Sequence, residues 1–179
     1  RTNEPKRVLP FRFLAAYRSA PGYANALNDG LLRVIKGLPK LEGETAVLVD
    51  ISGSMDYPLS QKSDLKRVDA AAALAACYPG DCDIYSFSNR LEKVNTFRGI
   101  PAVDAIIKSQ VHGGTELGRA LKELPKRYHR IIVITDEQSS DLVKMPECDH
   151  SYVINVGTDK NSIVYGKTVS ITGFSENVF

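Results

Sequence analysis

The run Thr45-Ala46-Val47-Leu48-Val49 is a continuous apolar stretch that stops at Asp50-Ile51-Ser52-Gly53-Ser54. A strand without a polar face is one covered on both sides, so the stretch points to a sheet with helices above and below it. The residues that follow carry oxygen: one carboxylate and two hydroxyls at alternating positions. In an extended segment alternate side chains leave on the same side. Asp50, Ser52 and Ser54 are therefore expected to face a common point. Oxygen donors with no Cys or His among them suit Mg²⁺, Ca²⁺ or Mn²⁺ rather than Zn²⁺.

The pattern on either side supports an α/β domain. Before the run, Pro10 suits a first helical turn and Phe13, Leu14 and Tyr17 fall at helical spacing. Pro21-Gly22 ends that helix. A second helix fits Tyr23 to Lys36, with Gly37 as its cap and Pro39 beyond. After the run, Ser63 is a candidate cap for a helix reaching Tyr78 and broken by Pro79-Gly80. A strand over Asp83–Phe87 follows, then a hairpin partner over Leu91–Phe97 at the sheet edge. Short helices are expected over Ala102–Lys108 and Glu116–Leu124. Strands are expected over Arg130–Ile134, Ser151–Val156 and Val169–Thr172. Strand–helix alternation of this kind gives a mostly parallel sheet. The division is a helical segment over 1–43 and an α/β domain over 44–179.

Composition narrows the rest. The chain has 179 residues, 43% hydrophobic and 25% charged, enough for one full core. A net charge of +2 does not by itself argue for nucleic acid. Cys77, Cys82 and Cys148 make an odd, irregularly spaced set. They form neither a disulfide framework nor a zinc pattern and are read as reduced intracellular thiols. No stretch is long enough to span a membrane. The chain starts at Arg1 rather than Met and is read as part of something longer.

Three loops are expected at the carboxyl edge of the sheet, where open α/β sheets bind ligands. The first holds Asp50, Ser52 and Ser54. The second is Gly113-Gly114-Thr115, whose glycines permit a close backbone path. The third is Thr135-Asp136-Glu137 after the strand Ile131–Ile134. His112 is read as a solvated or loop-packing residue. Asp56 and Glu137 flank the motif and are read as solvent-exposed, with tuning of affinity as extra carboxylates the alternative. No nucleophile with a base accompanies the loops, so the chain is not expected to be an enzyme.

Asp50-x-Ser52-x-Ser54, then Thr115 after two glycines, then Asp136 after an apolar strand, resembles a von Willebrand factor A domain with its metal-ion-dependent adhesion site. The resemblance covers about residues 44–179. It implies a Rossmann-like, mostly parallel sheet with one antiparallel edge strand and helices on both faces. It also implies a divalent ion, usually Mg²⁺, with Mn²⁺ or Ca²⁺ as alternatives. Ser52, Ser54 and Thr115 would be hydroxyl ligands, and Asp50 and Asp136 would bind directly or through water. A remaining position would be open to water or to an acidic group from a protein partner.

Such domains occur in integrins, collagen binders, chelatase subunits, secretion proteins and ribonucleoproteins, so the fold does not give the function. Arg7-Val8-Leu9-Pro10-Phe11-Arg12-Phe13-Leu14-Ala15-Ala16-Tyr17, the following helix and the ending Ile171–Phe179 resemble the C-terminal part of Ro autoantigen (TROVE-domain) proteins. That resemblance implies a cytoplasmic protein whose helical ring, absent from this chain, binds Y RNAs and misfolded RNA, with an exoribonuclease as a further partner. The candidate RNA contacts within this chain are Lys6, Arg7, Arg12 and Arg18. Lys122, Lys126, Arg127, His129 and Arg130 form a second basic cluster. A solvated helix face accounts for either pattern, and no aromatic stacking platform accompanies them. A chelatase-like or secretion adaptor and an adhesion domain, both unrelated to RNA, remain the alternatives.

Overall fold

The computed structural model describes residues 10–60, 63–95, 98–157 and 167–173, and the side chains of Pro10 and Phe11 are not described. Lys6 and Arg7, and the ending from Phe174 to Phe179, lie outside the described residues. The strands are β1 (Thr45–Asp50), β2 (Cys82–Phe87), β3 (Leu91–Lys93), β4 (Arg130–Thr135), β5 (His150–Asn155) and β6 (Val169–Thr172). They form one sheet in the order β3-β2-β1-β4-β5-β6. All neighbours are parallel except β2 and β3. The expected α/β sheet with one antiparallel edge strand is therefore present.

β1 sits at the centre, and its alternation sorts the core. Val47 and Val49 join Ile132, Ile134 and Ile154 on one face. Ala46 and Leu48 join Ile131, Val133 and Val153 on the other. The first face is covered by α3 (Arg67–Ala76) and α4 (Ile100–Ile107). Ala71, Ala72, Ala75 and Ala76 are buried there, and such small side chains let α3 lie close on the sheet. The second face is covered by α5 (Leu117–Lys122) and the irregular segment after it, where Tyr128 is buried and Leu124 packs, and by Val143 and Met145 from the segment between β4 and β5.

Several boundaries differ from those expected, and three of the differences are instructive. α3 starts at Arg67, not beside Ser63. The Ser63 hydroxyl accepts the Leu65 N–H at 3.1 Å, so its capping potential goes into a local turn. The chain then doubles back, with Pro58 bridging Lys66 and the Arg67 N–H reaching the Tyr57 carbonyl at 3.0 Å. Asp69 caps the helix by accepting the Lys66 N–H at 3.0 Å. β3 is regular only over Leu91–Lys93, and residues 96–97 lie outside the described residues. α4 starts two residues early, at Ile100, because Asn28 Oδ1 accepts the Ile100 N–H at 3.0 Å.

That last bond ties the helical pair, α1 (Pro10–Ser19) and α2 (Ala24–Lys36), to the helix layer. Leu14 belongs to the main core cluster, and Leu31 and Ile35 pack with Cys77 and Ile100. The Tyr17 hydroxyl donates to Asp104 at 3.1 Å, and Arg18 pairs with Asp69 at 2.7 Å and Asp104 at 3.4 Å. Asn28→Ala is expected to cost about 1 kcal/mol, the usual worth of a helix cap, measured by denaturant unfolding. No helix among the described residues is long and apolar enough to cross a membrane.

The three cysteines are free. Burial pushes the Cys77 thiol up to about 12 and the Cys82 thiol up to about 11. Cys148, half-buried and less strongly raised, is therefore expected to react first with iodoacetamide at pH 8, and Cys77 only on unfolding. Mass spectrometry of the labelled protein over time reads that order.

Candidate metal centre

The strand order reverses between β1 and β4: the chain leaves β1 toward β2 and β3, then crosses back to β4. A crevice opens at such a point beyond the carboxyl ends of the strands. Asp50 ends β1, Thr135 ends β4 and Asp136 follows it. Val49 is paired with Ile134, so the next step of the register sets Asp50 beside Thr135. The Thr135 hydroxyl donates to Asp50 Oδ2 at 2.6 Å. Asp50 Oδ1 accepts the Ser52 N–H at 2.8 Å, which folds the first loop back over the carboxylate.

The two serine hydroxyls meet, with Ser52 Oγ and Ser54 Oγ 3.2 Å apart. The expected convergence of alternating side chains is thus seen, although Gly53–Asp56 forms a 3-10 turn rather than continuing the strand. The second loop is pinned alongside. The Gly53 N–H reaches the Gly113 carbonyl at 2.8 Å. The Gly113 N–H reaches Ser88 Oγ at 2.8 Å, and the Gly114 N–H reaches Asn89 Oδ1 at 2.8 Å. A Cβ at Gly113 would lie 2.6 Å from Asn89 Nδ2, so a side chain there would displace Asn89 from the loop it holds. Thr115 follows, nearly buried, and its carbonyl accepts the Ser140 N–H at 2.9 Å and hydroxyl at 2.7 Å.

Asp136 is fully buried. Its Oδ2 receives Arg67 Nη1 at 2.8 Å. Its Oδ1 is buried with no hydrogen-bond partner among the described residues. An orphaned carboxylate oxygen is costly in a protein interior unless a cation or water completes it. Asp50 is buried as well, and desolvation pushes its carboxyl up to about 6 against the hydrogen bonds of Thr135 and Ser52, with Asp136 adding repulsion. Two close, buried carboxylates, two touching hydroxyls and an unsatisfied oxygen make a donor set that fits a hard divalent cation. Among the described residues no group of three or more His, Cys, Asp or Glu comes together as a metal site. A site made mainly of hydroxyls, with two carboxylates, would not form such a group.

Several residues at this edge escaped the sequence reading. Arg67 carried no motif, because only the doubled-back chain before α3 brings it to Asp136. Ser88 and Asn89 hold the glycine loop. Asp141 accepts the Gly118 N–H at 2.9 Å and the Arg119 N–H at 2.7 Å, at the start of α5. Glu137, expected to be exposed, is 4% exposed. Its backbone is left-handed at φ 60°, which turns the chain back toward the sheet. There its carboxylate accepts from Ser170 at 3.3 Å, and burial raises its pKa against the Asn155 and Ser170 bonds.

His112 packs the loop. Its Nδ1 lies 2.8 Å from Asp56 Oδ2 and its Nε2 lies 2.9 Å from the Ile107 carbonyl. Both partners are acceptors, so the two contacts favour the doubly protonated ring. Desolvation opposes that charge, but the Ile107 and Asp56 bonds outweigh it and raise the His112 pKa. A raised folded pKa gives stability that is complete below the unfolded value of 6.5 and is lost as pH rises through the folded value. His112→Ala is therefore expected to cost more at pH 5.5 than at pH 9, measured by urea unfolding at both.

The basic residues are largely committed elsewhere. Arg18 is held by Asp69 and Asp104. Lys126 pairs with Glu44 at 2.8 Å and Arg127 with Asp149 at 3.2 Å. Arg130 is buried and bonded to the Glu42 carbonyl, Thr45 and Tyr78. Arg12 is exposed on α1.

Sheet order, switch point and loops together define a von Willebrand factor A-type fold. Among solved structures, the Ro (RSR) protein of Deinococcus radiodurans superimposes with a TM-score of 0.71 at 18% identity, over 98% of this chain and 43% of that one. The chain thus spans less than half the length of that protein. The ArnB paralog VWA2 of Sulfolobus acidocaldarius is more distant, with a TM-score of 0.44 at 20% identity, over 78% of this chain and 43% of that one. No protein-family model and no curated protein matches this sequence.

Proposed function

We propose that the chain is a non-enzymatic, divalent-metal-dependent binding module of a Ro-type ribonucleoprotein. Asp50, Ser52, Ser54, Thr115 and Asp136 would hold Mg²⁺, with Mn²⁺ or Ca²⁺ as substitutes. When bound, the ion supplies an electrophilic position for an acidic group of a protein partner. The observation that carries this reading is the buried, unsatisfied Asp136 Oδ1 beside Asp50 and the paired serine hydroxyls. His112 commits both nitrogens to Asp56 and Ile107 and so does not activate a serine hydroxyl, which favours docking over hydrolysis.

The Ro assignment is supported by the superposition over 98% of the chain, which includes the helical pair as well as the sheet. In this reading the protein is cytoplasmic. A helical ring preceding this chain would bind Y RNA or misfolded RNA, with Lys6, Arg7, Arg12 and Arg18 as auxiliary contacts and an exoribonuclease as a further partner. Arg18 is the weakest of the four, being held by two carboxylates.

Isothermal calorimetry with Mg²⁺ and Mn²⁺ tests the metal reading, with saturable uptake expected for the wild type and none for Asp50→Ala. Equal uptake by both would sink the site. Electrophoretic shift of a single-stranded RNA by the wild type and by Lys6→Ala/Arg7→Ala/Arg12→Ala tests the auxiliary contacts. Binding unchanged by the triple substitution would remove them.

A further inference from the structure

Arg67 is the first residue of α3, and its guanidinium lies against Asp136 Oδ2 at 2.8 Å. Its side chain is only 12% exposed. The Tyr57 ring covers it from outside, with the guanidinium carbon 5.9 Å from the ring centroid. The position is built rather than incidental. Pro58 and Lys66 are bridged, and the Arg67 N–H is bonded to the Tyr57 carbonyl, so the loop returns α3 to this point. A cation thus already neutralises one of the two carboxylates proposed to bind metal.

We infer that Arg67 is a positioning and charge-setting residue of the metal centre: it holds Asp136 in place when no ion is bound and opposes the ion when one is. The inference rests on the metal reading above. With Asp50 and Asp136 ionised and Arg67 charged, the empty set carries one net negative charge. A dication brings the loaded set to one net positive charge. Two consequences follow from that balance. The ion is held more loosely than two buried carboxylates alone would hold it. The loaded centre keeps a surplus positive charge for an incoming anion. Because the guanidinium is mostly withdrawn from water, its repulsion of a dication bound to the same carboxylate is poorly screened.

Mg²⁺ calorimetry at pH 8 on wild type, Arg67→Met and Arg67→Lys tests this. Circular dichroism is first used to establish that each protein is folded. Arg67→Met is expected to bind Mg²⁺ about tenfold more tightly than wild type, as removal of one poorly screened unit charge near a dication requires. Arg67→Lys, which keeps the charge, is expected to stay near the wild-type affinity. The metal-free Arg67→Met protein is expected to melt at a lower temperature than wild type, because Asp136 loses its cation. Mg²⁺ affinity of folded Arg67→Met equal to or weaker than wild type would overturn the inference while leaving the site intact. Absence of Mg²⁺ uptake by the wild type would overturn the metal reading itself, and this inference with it.

Discussion

Asp50→Asn is expected to stabilise the metal-free domain at pH 8 by up to about 3 kcal/mol while abolishing its response to divalent ions. The Asp50 carboxyl is fully buried and pushed from its ordinary 3.8 up to about 6, chiefly by desolvation. Holding such a group ionised costs the folded state about 3 kcal/mol. The sign follows from linkage. A carboxyl with a raised folded pKa binds its proton more tightly when folded, so the cost is absent below 3.8, grows through the interval and is complete above 6. The stabilisation by Asn is therefore expected to shrink as pH falls through 6 and to vanish below 3.8. Asn retains an acceptor for the Ser52 N–H, and the Thr135 hydroxyl can rotate to accept from its amide. Urea unfolding of both proteins in a chelator, at several pH values, checks the effect. A site that destabilises its own empty state is what a binding function asks of a fold. Wild-type stability should accordingly rise with Mg²⁺ most strongly above pH 6.

Leu14→Ala carries the second large effect, an expected loss of about 3 kcal/mol. Leu14 lies on α1, outside the α/β domain as its sequence boundaries are drawn, yet it is 2% exposed within the main core cluster. Truncation would leave a cavity between α1 and the layer formed by α3 and α4. Tyr17 and Arg18 on the same helix reach Asp104 and Asp69 of that layer, so collapse around the cavity is resisted. Unfolding is expected to remain a single transition, with the midpoint lowered for the helical pair and the sheet together. A loss below 1 kcal/mol, or a separate early transition for the helices, would mean that α1 is an appendage.

The parts of the fold that were legible in the sequence are those encoded by local pattern. β1 and β4 are built on unbroken apolar runs, and Asp50 ends the first while Asp136 follows the second at the sheet edge. Asp50, Ser52, Ser54 and Asp136 could be placed at the sheet edge because their positions depend on strand ends. The start of α3 was misplaced because Ser63 has the chemistry of a cap but uses it on Leu65. Asn28 caps α4 from 72 residues away, which no local rule anticipates. Arg67, and the burial of Glu137, escaped for the same reason. Arg67 reaches the site through a loop closed by the Pro58–Lys66 bridge, and Glu137 is buried by a left-handed turn that its residue type does not favour. Lys126, Arg127, His129 and Arg130 of the second basic cluster are taken up by Glu44, Asp149 and Thr45.

The central claim is that three loops at the β1–β4 switch point hold one divalent ion. Crystals grown with Mn²⁺ and measured at a wavelength where manganese scatters anomalously test it most directly. A single anomalous peak within ligand distance of Ser52 Oγ, Ser54 Oγ and at least one of Thr115 Oγ1, Asp50 and Asp136 is the expected result. A saturated crystal with no peak there, or with its peak elsewhere on the molecule, would contradict the account.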